Sequence, residues 1–269
     1  MSFRFPDRGA YLLLALLLPP SPLRVCSDPD NLPFSNRHGD GFENRIAELI
    51  ARDLHTSVAY TWAPQRRGFV AKSIKTGACD VIVGIPGAMN QLLRTAPYYR
   101  STYVVVTRRA AGPPVRSLDD PRLRRLRIGV QVISDDGADT PPALALARRG
   151  IIRNVRNYVV PDDRTGTGMP SIMSAVTRGS IDIAIAWGPL AGYWSQRSPV
   201  PLAVSPLASP ADMQFLPFAF DITIGVRQGD SLLRMRIDSV LSRRQEEIGA
   251  ILDSFHIPRV PGAALASAP

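Results

Sequence analysis

The sequence predicts an α/β protein of two lobes, each a mostly parallel sheet flanked by helices, with two crossing strands joining them. Three observations carry this reading. Short β-branched runs alternate with amphipathic stretches of helical period, as strands linked by crossover helices do. The alternation breaks at Gly112-Pro113-Pro114 and restarts as a second series, since that tripeptide punctuates the chain. One more strand, Phe220 to Val226, then precedes a long helix, so the chain returns to the first lobe after building the second.

Leu23 to Ser27 reads as the first strand and Phe42 to Leu54 as a helix with Ile46, Leu49, Ile50 and Leu54 on one face. Val58 to Trp62 is the second strand, Phe69 to Lys75 a short helix stopped by Gly77, and Asp80 to Ile85 a third strand, apolar throughout as a buried parallel strand is. Thr102 to Thr107 is the strand that leaves this lobe. The second series places strands at Arg127 to Ile133, Val155 to Val160 and Ile181 to Trp187, and helices at Pro142 to Arg149 and Pro170 to Arg178. Gly150 and Gly179 close those helices. Ser198 to Pro210 is proline-rich loop and edge strand, and Leu232 to Phe255 is one long amphipathic helix.

Arg4 and Arg8 precede an apolar run from Ala10 to Leu18, too short to span a bilayer and shaped like an export signal. Pro19-Pro20-Ser21-Pro22 lacks the small-x-small pattern of a cleavage site, which leaves an uncleaved anchor as the alternative. The expected organisation is therefore signal 1–22, first lobe 23–108, second lobe 109–217, return strand and C-terminal helix of the first lobe 218–257, and a flexible tail 258–269. Export places the mature protein in the periplasm. The formal charge is +9 over 269 residues, and removing Arg4, Asp7 and Arg8 with the signal leaves +8. A basic balance favours an acidic partner or anionic ligand, and export argues against nucleic acid. Cys26 and Cys79 are the only cysteines. An even count suits an oxidising compartment, but neighbouring parallel strands could hold the two too far apart, so pairing stays open.

Leu23-Arg24-Val25-Cys26, the loop Asn31 to Asn36 and Gly41-Phe42-Glu43 opening a helix resemble the start of type 2 periplasmic substrate-binding proteins. Tyr60-Thr61-Trp62, Pro64-Gln65-Arg66-Arg67-Gly68-Phe69, Cys79-Asp80-Val81, Pro97 to Thr102, Trp187 to Tyr193 and Pro217 to Asp221 are similar to the MoxJ/XoxJ-like subgroup associated with quinoprotein alcohol dehydrogenases. The resemblance runs from about Leu23 to Val260. It implies an accessory role beside a PQQ-dependent (methanol or alcohol) dehydrogenase, in its maturation or activation, and no catalysis by this chain. A receptor for an uptake transporter taking a small non-amino-acid ligand is the alternative, and an enzyme such as a dehydratase built on the same scaffold is a third reading. Amino-acid-binding relatives carry an arginine several residues before the Pro-Tyr pair to clamp a carboxylate. Here Arg94 stands only three residues before Pro97, and Trp187-Gly188-Pro189 stands where an acidic partner for an ammonium is usual.

Ligands in open α/β sheets sit beyond the carboxyl ends of strands, at switch points. That rule nominates Asp28, Asn31, Phe34, Trp62, Gln65, Arg66, Pro86, Gly87, Tyr98, Tyr99, Arg100, Ser101, Thr102, Trp187, Gly188 and Tyr193 for a cleft that holds a small molecule or peptide. Trp62 and Trp187 could equally cap the lobe cores. Asp135, Asp136 and Asp139 precede a helix, either as dipole-favoured capping acids or as a cation contact. His38, His55 and His256 are scattered, and neither a zinc pattern, a nucleophile elbow, a phosphate-cradling loop nor a haem-attachment motif is present, so no cofactor or metal is expected. Seven arginines crowd Arg108 to Arg127, as a solvated face or, through Arg122, Arg124 and Arg125, as a docking patch for an acidic protein.

Overall fold

The computed structural model describes residues 21–65, 68–87, 89–133, 140–159 and 169–261. In chain order the strands are β1 (Leu23–Ser27), β2 (Asp30–Asn31), β3 (Ser35–Asn36), β4 (Val58–Trp62), β5 (Val81–Pro86), β6 (Leu93–Arg94), β7 (Tyr99–Arg108), β8 (Ile128–Val132), β9 (Val155–Val159), β10 (Ile183–Trp187), β11 (Leu202–Pro206) and β12 (Ala219–Val226). The helices are α1 (Phe42–Asp53), α2 (Phe69–Lys72), α3 (Pro141–Arg148), α4 (Ser171–Thr177), α5 (Gly188–Gln196), α6 (Ser231–Arg243) and α7 (Gln245–Ser254).

The strands run in the order β4-β1-β5-β12-β7-β10-β8-β9, with β6 added on β12 and β11 on β7. β1 is parallel to β4 and β5, and β8 is parallel to β9 and β10. The crossing strands β7 and β12 are antiparallel to each other. Tyr99 to Thr102 pair with Ile222 to Ala219, whereas Tyr103 to Thr107 pair with β10. One long strand thus belongs to both lobes, and β12 comes back beside it to rejoin β5.

Each sheet is covered on both faces. In the first lobe, Val25, Val83 and Ile224 pack against Phe42, Ile46 and Ile50 of α1 and Ile237 and Val240 of α6. The opposite face holds Ile74, Ile82, Ile85 and Leu92 around Cys26 and Cys79, which form a disulfide with Cα atoms 5.5 Å apart. Val25 pairs with Val81 in parallel register, so Cys26 lies one residue past that point and Cys79 two residues before it. In the second lobe α3 covers Ile128, Val130 and Ile185, while α4 and α5 cover Val104, Val106 and Ala184. Gly150 and Gly179 have φ of 66° and 74°, the left-handed stop read from the sequence.

Helix α5 is shared. Its Leu190 and Ala191 pack in the second lobe, but Tyr193 lies in the first lobe's core, stacked on Phe255 with centroids 5.6 Å apart. Trp194 Nε1 donates to the Leu32 carbonyl at 3.3 Å. Phe34 packs against both cores.

Two expectations differ. The helix expected over Leu232 to Phe255 is two helices meeting at Arg244, where Arg243 and Arg244 both reach Asp53 of α1 and so pin the junction to the first helix. The tail expected to be flexible from Pro258 is tied as far as Val260: Ser101 Oγ donates to the Pro258 carbonyl at 2.6 Å, and the Val260 amide donates to the Arg100 carbonyl at 3.1 Å. Among the described residues no helix is long and apolar enough to cross a membrane.

Candidate functional site

The loop after β1 is organised by Asp28, which is 3% exposed. Its Oδ1 accepts from the Asp30 amide at 2.9 Å, its Oδ2 from the Gln65 amide at 2.6 Å, and its carbonyl from Ser35 Oγ at 2.9 Å. Asn31 Nδ2 in turn donates to Gln65 Oε1 at 3.3 Å. Asp28 therefore knits the loop after β1 to the loop after β4, and its carboxylate is spent on backbone amides. At the end of edge strand β4, Trp62 stacks on Tyr60 with centroids 4.6 Å apart, and the Arg37 guanidinium stands 5.8 Å over the indole.

Behind this loop lies a carboxyl that the sequence did not single out as functional. Glu43, in the first turn of α1, is 4% exposed. Burial first, and the Asp28 charge second, hold its carboxyl well above the usual range. Gly84 makes room for it: a Cβ there would stand 1.8 Å from Glu43 Oε1. Tyr98 and Tyr99, whose rings are 5.0 Å apart, feel the same carboxylate, and burial pushes both phenols well above their ordinary range. The Tyr98 hydroxyl is buried without a hydrogen-bond partner among the described residues.

At the lobe junction, Trp187 ends β10. Its amide donates to Gln131 Oε1 at 2.8 Å. Its ring meets Tyr103 edge-on at 5.3 Å and Phe220 at 5.9 Å, so residues of β7, β10 and β12 form one aromatic knot at the crossing. Edge-on geometry suits ring quadrupoles. Gly188 follows as the first residue of α5.

Other nominated residues are placed elsewhere. Tyr193 is 8% exposed, sandwiched between Phe255 and the Arg197 guanidinium, 3.6 Å above its ring. Ser101 Oγ is spent on Pro258, and Thr102 Oγ1 donates to the Phe218 carbonyl at 3.0 Å. Arg100 pairs with Asp221 at 2.9 Å and, with Thr102 and Arg116, borders an open basin of about 560 Å³ against Val260 and Pro261. Gly87 lines a different basin, with Arg94, Thr95 and Asp221, and Pro86 is exposed beside it. The switch-point rule found the ends of the strands but not which face each side chain takes. Arg66, Asp135, Asp136 and Asp139 lie outside the described residues.

The arginine run is partly neutralised. Arg122 is held by Asp120 at 2.5 Å and donates to the Pro113 carbonyl, and Arg127 is held by Asp182 at 2.6 Å. These pairs hold the Asp120 and Asp182 carboxyls below their usual range, through hydrogen bonds from Arg122 and Arg127 respectively. Arg124 donates to the Arg149 carbonyl, and neither Arg124 nor Arg125 has a carboxylate partner among the described residues. Nor does any group of His, Cys, Asp and Glu among them stand ready to hold a metal.

The chain is 34% identical to the periplasmic binding protein XoxJ from Methylobacterium extorquens AM1, covering 89% of this chain and 100% of that crystal structure with a TM-score of 0.73. The chain belongs to the MoxJ/XoxJ family of periplasmic binding proteins. Protein MoxJ of Methylorubrum extorquens is 28% identical over 89% of this chain and 82% of its own length. The crystal structure of MxaJ from Methlophaga aminisulfidivorans MPT, 23% identical over 88% of this chain and all of its own, shares the fold with a TM-score of 0.76. No family model matches the chain. Within this MoxJ/XoxJ-type fold the sites of interest are the Asp28-Gln65 loop pair, the Glu43-Tyr98-Tyr99 cluster and the Trp187 knot.

Proposed function

We propose that this protein is an exported periplasmic accessory factor that associates with a PQQ-dependent alcohol dehydrogenase and assists its maturation, without itself catalysing a reaction. The observation that carries the reading is how the candidate cleft spends its polar atoms. Asp28 bonds backbone amides, Asn31 and Gln65 bond each other, and Ser101 and Thr102 bond carbonyls. Half-buried aromatic rings remain as the adaptable surface: Phe34, Trp62, Tyr98, Trp187 and Trp194. A zwitterionic amino acid needs a fixed cation and a fixed anion facing it. Thr95 fills neither role, since its Oγ1 donates to the Ala96 carbonyl and accepts the Ile224 amide, and Arg94 is exposed on β6. Aromatic rings with polar rims suit a protein surface or an apolar peptide segment.

The membership in a family named MoxJ and XoxJ supports the dehydrogenase as partner, and the export-type N-terminus with its periplasmic relatives supports the compartment. The test pairs two measurements on the mature protein. Surface-plasmon binding to the dehydrogenase purified from the source organism, apo and PQQ-loaded, is expected to be saturable. Calorimetric titration with the standard amino acids is expected to be flat, and submicromolar affinity for any of them shifts the assignment to an uptake receptor.

A further inference from the structure

We propose that the surface at the C-terminal end of α3 is the docking face for an acidic protein partner, with Ile152 and Phe215 as apolar anchors and Arg124, Arg125, Arg148 and Arg153 as the cationic rim. The proposal rests on the accessory reading above and names where on the chain the partner sits. It moves the docking face away from Arg122, whose charge Asp120 takes up.

Six large apolar side chains stand exposed among the described residues, and three of them, Leu144, Ile152 and Phe215, border this one helix end. Ile152 and Phe215 are each 62% exposed. The adjacency is set by contacts. The Arg148 guanidinium lies 4.9 Å over the Phe215 ring, and Leu144 is one helical turn before Arg148 on the same face. Arg124 Nη2 reaches the Arg149 carbonyl at 3.3 Å. Asn154 Nδ2 donates to the Leu123 and Leu126 carbonyls at 2.7 and 2.6 Å, which ties the residue after Arg153 to the segment that carries Arg124 and Arg125.

The charge here is lopsided for a specific reason. Of the nearby carboxylates, Asp120 pairs with Arg122 at 2.5 Å, and Asp119 and Asp212 both pair with Arg149, at 2.9 and 3.0 Å. Arg149 also stands 4.0 Å from Met213 Sδ, and with its two acids it braces the base of the patch. The four outer arginines are left with no carboxylate partner among the described residues, and all four are exposed. Exposed apolar side chains ringed by unneutralised guanidinium groups match a partner that presents an apolar residue among carboxylates; rim charges of this kind set association rate, and the apolar anchors set residence time. Placement on a helix end braced by ion pairs also spares the cost of ordering a loop on binding.

The experiment uses the full mature protein and the source organism's purified PQQ-dependent dehydrogenase on a plasmon-resonance surface, with three variants. Arg125→Glu with Arg153→Glu reverses the rim. Lys72→Glu with Lys75→Glu makes the same change in net charge on the first lobe. Phe215→Ser removes an anchor on an exposed site, so folding is not at stake, and circular dichroism verifies this for all three. The expected result is an association rate about tenfold lower for the rim variant at low salt, a gap that closes as ionic strength passes ~0.15 M. The first-lobe variant is expected to show a clearly smaller loss, and Phe215→Ser a dissociation rate on the order of tenfold faster. Wild-type binding with all three variants unchanged, or with the two charge variants equally slowed, overturns the docking face while leaving the accessory reading intact. No wild-type binding to the dehydrogenase overturns both, and binding instead to phosphatidylglycerol vesicles assigns the patch to a membrane surface.

Discussion

Replacing Cys26 and Cys79 together with alanine removes a crosslink between residues 53 apart in sequence. In the chain-entropy account such a loop restricts the unfolded ensemble by roughly 4 kcal/mol at 25 °C. Both cysteines are at most 1% exposed and touch the cluster of Ile74, Ile82, Ile85 and Leu92, so a small packing loss adds to the same sign, and alanine avoids burying an unpaired hydroxyl. For a chain of this size roughly 4 kcal/mol corresponds to a fall in Tm of about 8–16 °C. The bridged loop contains Asp28, Asn31, Phe34, Trp62, Gln65 and Arg66, every first-lobe candidate before the crossing strand except those that follow Cys79. Losing the crosslink is therefore expected to loosen the hydrogen bonds of Asp28 as well as to lower Tm. The assay is thermal denaturation followed by circular dichroism, with hydrogen exchange at the Gln65 amide as a local readout. A dithiothreitol-treated wild type is expected to match the double variant. A fall of less than about 2 °C would refute the reasoning, because it would mean that the loop is not constraining the unfolded chain.

Three further outcomes are expected. Glu43 has a folded-state pKa raised by burial, so its contribution to stability is fully present below the unfolded value of ~4.3 and is lost as pH rises through the folded value. Glu43→Gln is then expected to match wild type near pH ~4 and to exceed it increasingly above that, by urea denaturation across pH; parallel curves at every pH contradict the assignment. Gly192→Ala places a Cβ 2.1 Å from the His256 carbonyl oxygen, backbone against backbone, and is expected to cost about 3 kcal/mol or more; a Tm within a degree or two of wild type would show that the junction yields easily. Trp194→Phe keeps most of the ring but removes the donor to Leu32, and a loss of about 1 kcal/mol is expected in chemical denaturation, with no loss at all marking that bond as unimportant.

The strands were legible where a run of β-branched residues sits between turn residues. Leu23–Ser27 and Val58–Trp62 were read with the bounds the structure gives, and the return strand Phe220 to Val226 differs by one residue. The two βα series and the crossing were legible because Gly112-Pro113-Pro114 interrupts the pattern. The break at Arg244 was not, since neither glycine nor proline marks it and its visible correlate is a tertiary pair of arginines on Asp53. Glu43 carries no sequence signal of its own, because an acid in a helix's first turn ordinarily faces water and favours the dipole; its burial depends on Gly84 arriving from another strand. Its position just after a strand end makes Tyr193 look cleft-facing in the sequence, yet the direction of α5 turns it into the first lobe. In the sequence Arg122 looks available for docking, and only the fold shows its guanidinium turned back onto Asp120, two residues away.

That direction of α5 bears on how the molecule comes apart. Leu190 and Ala191 belong to one core and Tyr193 to the other, within a single helix of nine residues. Melting either lobe exposes one side of that helix to water, so the first lobe to unfold strips packing from the second. Heat is therefore expected to produce one calorimetric endotherm rather than two.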